Sequence, residues 1–193
     1  EHVHEETLDS VVKIGIASYD MVRAMLSVVQ DKRDYSRVRR ATVNALAKLP
    51  LDQEQKEMVV EALSVPFYDQ EEKSDLLRVP IARLLYLWGE NEQGLEYLRM
   101  AAEQSYMAQV RYNASQVLHE LGDDETAVAE LTRLATNSSI ADPIRCGSLR
   151  AIAFWNVGDE DLAQELKSIL QEKEPMPNVP ETAYQALKSM LTS

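Results

Sequence analysis

The chain is poor in cysteine, glycine, proline and histidine, and each shortage removes a class of protein. A single cysteine, Cys146, means that no intramolecular disulfide can form and that a zinc site built on several thiolates is excluded. Only 6 glycines and 7 prolines occur in 193 residues. That is too few for a turn-dense all-β fold or for a disordered low-complexity segment. Three histidines, His2, His4 and His119, leave little material for a histidine metal centre. No apolar run approaches the length of a membrane-spanning helix. Basic residues are outnumbered 20 to 32 by acidic ones. The net charge of -12 repels phosphate backbones, so nucleic acid is not expected as a partner.

What is present is ordinary for a globular protein: 45% hydrophobic and 27% charged residues. The length suits one domain or one small repeat array. The first residue is Glu1 rather than Met, as expected of a trimmed or mature fragment. The compartment stays open, with the cytoplasm slightly favoured. Charge is uneven along the chain. Residues 51–131 carry 17 acidic and 6 basic residues, whereas residues 1–50 carry 7 and 8. Lys32, Arg33, Arg37, Arg39 and Arg40 form one short basic cluster, which reads as a solvated helix end.

Self-similarity is the strongest signal. Helix-ending residues recur at Gly15, Pro50, Gly89, Gly122 and Gly158. One residue before them stand Ile14, Leu49, Trp88, Leu121 and Val157. Four before stand Val11, Leu46, Leu85, Leu118 and Phe154, and seven before stand Leu8, Val43, Ala82, Ser115 and Ala151. Steps of three share one helical face, and fourteen of these fifteen residues are apolar. After each break a second helix is expected, most clearly in GDDETAVAELTRLA and GDEDLAQELKSIL, where Asp123 and Asp159 are placed to cap it.

The unit is therefore a helical hairpin with one apolar side, which only stacking can bury. The expected fold is all-α: a right-handed α-α superhelix, an α-solenoid, of about five hairpins near 5–30, 36–64, 74–104, 107–136 and 143–172. A helix over 180–192 caps it, the whole forming one domain. Pro66 marks 64–75 as a linker, and Pro143 suits the first turn of a helix.

His119-Glu120-Leu121-Gly122-Asp123 comes close to the H-E-x-x-H zinc-protease signature, but Asp123 and a helix break replace the second ligand. Gly158-Asp159 repeats the same corner without a histidine. The segment therefore reads as a repeat turn, and no metal or other cofactor is expected. His2 and His4 sit at an end expected to be frayed. Two Asn-x-Ser triplets occur, at Asn113-Ala114-Ser115 and Asn137-Ser138-Ser139. Such triplets arise often by chance, and neither is given a role.

Val110-Arg111, Ala114, Leu118, Leu121 and Gly122-Asp123 resemble the V-R-x-x-A-x-x-x-L-x-x-L-G-D pattern of HEAT repeats, in particular the short HEAT-like repeats named after phycobilin lyases. Segments beginning at Val38-Arg39 and Leu77-Arg78 are similar, and one beginning at Ile144-Arg145 is similar with two extra residues. The resemblance implies a structural arginine near the start of each first helix: Arg39, Arg78 and Arg111. Arg145, two residues out of register, is left without that role. Tetratricopeptide repeats are the rival, since Gly94, Ala127 and Ala163 stand where that family places a small residue.

No nucleophile–base pair or phosphate loop can be placed, so no catalytic residue is assigned and no enzyme is expected. The expected function is a scaffold that binds a protein or peptide with a basic surface through its acidic second helices. The candidate residues are Glu54, Glu57 and Glu61 together with Glu92, Glu96 and Tyr97. Glu90, Glu165 and Asp159 to Asp161 extend the acidic face, and Tyr106 and Tyr112 are further aromatic anchors. Trp88 and Trp155 stand in the core register. The alternative, implied by the resemblance alone, is a subunit of a lyase-type enzyme.

Overall fold

A computed structural model describes residues 2–155, 160–170 and 178–191. Among these residues every regular element is an α-helix. They are α1 (His2–Ile14), α2 (Tyr19–Gln30), α3 (Ser36–Leu46), α4 (Gln53–Tyr68), α5 (Asp75–Gly89), α6 (Glu92–Gln104), α7 (Ala108–Glu120), α8 (Asp124–Thr136), α9 (Asp142–Trp155), α10 (Glu160–Ile169) and α11 (Val179–Leu191). The chain is all-α. Its contacts divide it into two compact units, residues 1–98 and 99–193, with the boundary inside α6.

In the first unit α1, α3 and α5 lie side by side as one row, and α2 packs on α4 in a second row that covers α3 and α5. In the second unit α7, α9 and α11 form one row and α8 and α10 the other. Each unit is thus a solenoid-like stack of consecutive helices. The three-residue register supplies the buried seam. Val43, Leu46, Ala82, Leu85, Ser115 and Leu118 are all fully buried. Ser115 is tolerated there because its hydroxyl donates to the Arg111 carbonyl one turn back, at 2.9 Å.

The register fails at both ends. Ile14 is 66% and Phe154 88% exposed; Ala151 is buried as the register expects, but Ile152 is buried in the place expected of Phe154, with Leu149 buried beside it. Gly158 and Val157 lie outside the described residues.

Four arginines account for the register better than the glycines do. Pro50, Gly89 and Gly122 each stand eleven residues after Arg39, Arg78 and Arg111. Counting from Arg145 reaches Asn156, two residues short of Gly158, and α9 ends at Trp155. All four arginines reach back to the end of the preceding helix. Arg39 Nε donates to the Val29 carbonyl at 2.7 Å, Arg78 Nη2 to Asp69 at 2.6 Å, Arg111 Nη1 to Ser105 at 2.9 Å and Arg145 Nε to Ala135 at 2.9 Å. Those carbonyls belong to or adjoin the last turns of α2, α4, α6 and α8, where carbonyls lack intrahelical partners and the helix dipole favours a cation. Arg145 therefore has the part that its sequence position had denied it.

Pro66 does not end α4. The helix runs on to Tyr68 with Pro66 buried inside it, so 64–75 is not a linker throughout. A proline lacks the N–H that would bond the carbonyl four residues back, here Ala62. Gln30 of α2 fills the gap, its Nε2 donating to Ala62 at 3.1 Å. Pro143, by contrast, stands in the first turn of α9.

Two helix ends differ in an instructive way. At the end of α7, Gly122 takes a φ of 87° and the Asp123 N–H bonds the Leu118 carbonyl at 2.9 Å. At the end of α5 it is Glu90, with φ 49°, that turns left-handed, and the Glu90 and Asn91 N–H groups close on Tyr86 and Leu85. Gly89 is needed for space instead, since a Cβ there would meet Val60 Cγ1 at 2.8 Å. A Cβ on Gly122 would meet nothing within 4 Å, so the cost of a substitution is backbone strain alone. Gly122→Val is expected to destabilise by about 1–3 kcal/mol in chemical denaturation. Wild-type stability in that variant would show that the corner does not need a left-handed residue.

Candidate protein-binding face of α4

Helix α4 is anchored at its start and along one side. Asp52 caps it, accepting from the Gln55 N–H at 2.8 Å, while Gln55 Oε1 accepts from the Asp52 N–H at 3.0 Å. Gln55 Nε2 also donates to the Ala17 carbonyl at 2.7 Å, tying α4 to the turn before α2. Gln55, Val59, Leu63, Pro66 and Phe67 are buried.

The opposite face carries Glu54, Glu57, Glu61, Val65 and Tyr68, all exposed. Their spacing of three and four residues holds them in one narrow stripe. Its first two-thirds is carboxylate. Its end is apolar, with Val65 64% and Tyr68 50% exposed.

Among the described residues Glu54 and Glu57 accept from neutral donors. Tyr19 Oη donates to Glu54 at 2.7 Å, and that bond pushes the Tyr19 hydroxyl up to about 12. Gln53 Nε2 donates to Glu57 at 3.0 Å. Among the described residues no lysine or arginine forms an ion pair with Glu54, Glu57 or Glu61.

The loop after α4 is the opposite case. Lys32 Nζ lies 2.5 Å from Asp69 and 3.2 Å from Glu71. Arg39 Nη1 lies 2.6 Å from Glu72 with both side chains buried, and Arg78 Nη1 lies 3.7 Å from Asp75. The hydrogen bond from Lys32 holds the Asp69 carboxyl below its usual range. The basic cluster is thus not a plain solvated end: its Lys32 and Arg39 pair with Asp69, Glu71 and Glu72, and Arg33 pairs locally with Asp31 at 2.8 Å.

Helix α6 brings the other predicted residues. Glu92 and Glu96 are exposed, with Glu92 in the first turn. Tyr97 is half-buried. Its ring packs edge-on against Phe67 with centroids 5.4 Å apart, and its hydroxyl donates to Asp75 at 3.1 Å. Burial is the main cause that pushes this hydroxyl up. Tyr97 is accordingly used in packing α6 onto the ends of α4 and α5. Tyr68, which sequence reasoning passed over, is better placed as an anchor. Its hydroxyl accepts from Asn91 Nδ2 at 2.8 Å, and Asn91 in turn accepts from the Gln93 N–H at the start of α6. The α4 stripe and the acidic first turn of α6 therefore adjoin. Val65 and Tyr68 continue the spacing of Glu57 and Glu61, and that was the available signal; Pro66 hid it. Asp159 and the side chains of Glu160, Asp161 and Glu165 lie outside the described residues.

Among the remaining candidates, His119 and Asp123 are held in contacts within the chain. His119 Nδ1 lies 2.6 Å from Asp124 Oδ1, and its ring stacks on Trp155 with centroids 3.7 Å apart and planes 21° off parallel. Asp123 pairs with Arg99 at 2.6 Å and accepts from the Thr126 N–H, capping α8. Among the described residues no three His, Cys, Asp or Glu side chains gather as a metal site. Helix α1 begins at His2, so the backbone there is helical rather than frayed; the side chains of His2 and His4 lie outside the described residues. Cys146 is buried, and burial pushes its thiol up, away from a reactive thiolate. Trp88 and Trp155 are half-buried, Tyr112 is half-buried with its hydroxyl accepting from Gln116, and Tyr106 is 86% exposed. No described helix is long and apolar enough to cross a membrane.

No protein family, curated protein or solved structure matches this chain.

Proposed function

We propose that the chain is a protein-interaction scaffold of HEAT-like repeats that binds a basic partner through the outer face of α4 and the adjoining start of α6. The carrying observation is the contrast between two acidic segments. The loop 69–75 is neutralised by Lys32, Arg39 and Arg78, whereas among the described residues Glu54, Glu57 and Glu61 form no ion pair, and their stripe ends on exposed Val65 and Tyr68. The HEAT-like part of the reading is supported by the shared reach of Arg39, Arg78, Arg111 and Arg145 to a helix end.

A partner helix with lysines or arginines along one part of its face and an aliphatic or aromatic residue at the end fits the stripe. Its charges would steer encounter, and its apolar end would pack on Val65 and Tyr68. The triple variant Glu54→Gln, Glu57→Gln, Glu61→Gln is expected to melt like the wild type, because the replaced groups face water. It should slow association with a partner captured by the full chain more than it speeds dissociation. Surface plasmon resonance of the captured partner on both forms checks this. Unchanged association in the triple variant would remove α4 as the binding face.

A further inference from the structure

We propose that Asn137 is an acceptor site for N-linked glycosylation of the folded chain, and that the second Asn-x-Ser triplet, at Asn113, is closed to it. The two triplets have the same formal sequence and opposite surroundings. Asn137 closes α8 as its C-cap in extended backbone, with φ -81° and ψ 108°. Asn137, Ser138 and Ser139 are all exposed, and the loop they begin runs to α9. The Asn137 side-chain carbonyl accepts from both the Ser139 N–H, at 2.9 Å, and the Ser139 hydroxyl, at 2.7 Å. The acceptor amide and the hydroxyl that the triplet requires are therefore already in contact. Both bonds use Oδ1, so the amide nitrogen takes no part in the turn.

Asn113 stands inside α7, its Oδ1 accepting from Gln109 at 2.9 Å. Ala114 and Ser115 are fully buried, and the Ser115 hydroxyl donates to Arg111. Reaching that amide would require unwinding a helix whose opposite face is core.

Transfer forms a bond from Asn137 Nδ2 to the anomeric carbon of a lipid-linked oligosaccharyl pyrophosphate. The anomeric carbon–oxygen bond breaks, its electron pair leaves with the lipid pyrophosphate, and one amide proton passes to a base of the transferase. Such donors serve secreted and lumenal chains, so a glycan at Asn137 would set aside the slight preference for the cytoplasm.

The test uses the purified, folded full chain with a single-subunit oligosaccharyltransferase and its lipid-pyrophosphate donor, read by intact mass and peptide mapping. A peptide with an Asn-Ser-Ser triplet confirms that the enzyme is active. The expected result is one glycan, at Asn137. It should be lost in Asn137→Gln and in Ser139→Ala, kept in Ser139→Thr and kept in Asn113→Gln, while heat-unfolded chain gains a second glycan at Asn113. An unmodified Asn137 in the folded chain, or a glycan at Asn113 before unfolding, overturns the proposal.

Discussion

Replacing Arg39 by Met should destabilise the chain by about 3–5 kcal/mol, because it leaves Glu72 buried without its cation. Arg39 and Glu72 are 4% and 6% exposed at the side chain and 2.6 Å apart. The substitution also removes the bond from Arg39 Nε to the Val29 carbonyl at the end of α2. A double variant separates the buried charge from the lost packing. Arg39→Met with Glu72→Leu removes both charges together and should recover much of the loss, since a buried pair can be replaced by apolar groups at little net cost. Arg33→Ala serves as the exposed comparison. Arg33 is 92% exposed at the side chain, and its pair with Asp31 should contribute nothing measurable. Urea titrations of the four proteins check the prediction. Equal midpoints for Arg39→Met and Arg33→Ala would mean that Arg39 does not hold the loop after α4 to α3 as described.

Leu118→Ala should cost about 2–5 kcal/mol, whereas Phe154→Ala should cost about 0.5 kcal/mol or less. Both residues stand four before a glycine, Gly122 and Gly158, so the glycine register treats them alike. Their surroundings separate them: Leu118 is fully buried in α7 and Phe154 is 88% exposed on α9. Truncating Leu118 leaves a cavity that its neighbours on α7 can fill only in part. Truncating Phe154 removes surface that water already covers. Thermal melts of the two variants decide between the registers. A loss from Phe154→Ala as large as that from Leu118→Ala would restore the glycine count and discard the arginine count.

The all-α class and much of the seam could be read from periodicity because both are local. A helix face repeats every three to four residues, and Val43, Leu46, Ala82, Leu85 and Leu118 all follow that rule into the core. The glycine count went astray at the last repeat. Glycine marks a helix end only where the turn needs it, and Glu90 supplies the left-handed turn at α5 without one. The arginines were the steadier ruler, since each has a fixed carbonyl to reach.

Long-range pairings were not legible. Nothing near Pro66 announces that Gln30, on another helix, will satisfy Ala62, so a helix that continues looked like a linker. For the same reason the sequence alone does not join Val65 and Tyr68 to the carboxylates of α4. Glu54, Glu57 and Glu61 were found by spacing alone, but whether they lacked cations depended on where Lys32 and Arg39 went, which only packing decides.

If the outer face of α4 is the docking surface for a basic partner, residue-by-residue mapping will place the contact there. Amide NMR spectra of the full chain would be followed during titration with a helical peptide bearing lysines along one face and a leucine at its end. Shifts should concentrate on residues 54–68 and the start of α6. They should weaken as salt rises from about 0.01 M, where charges are screened over about 30 Å, to about 0.15 M, where the length is about 8 Å. They should be lost in the Glu54→Gln, Glu57→Gln, Glu61→Gln variant. Shifts that map away from α4, ignore salt and persist in the triple variant would contradict the account.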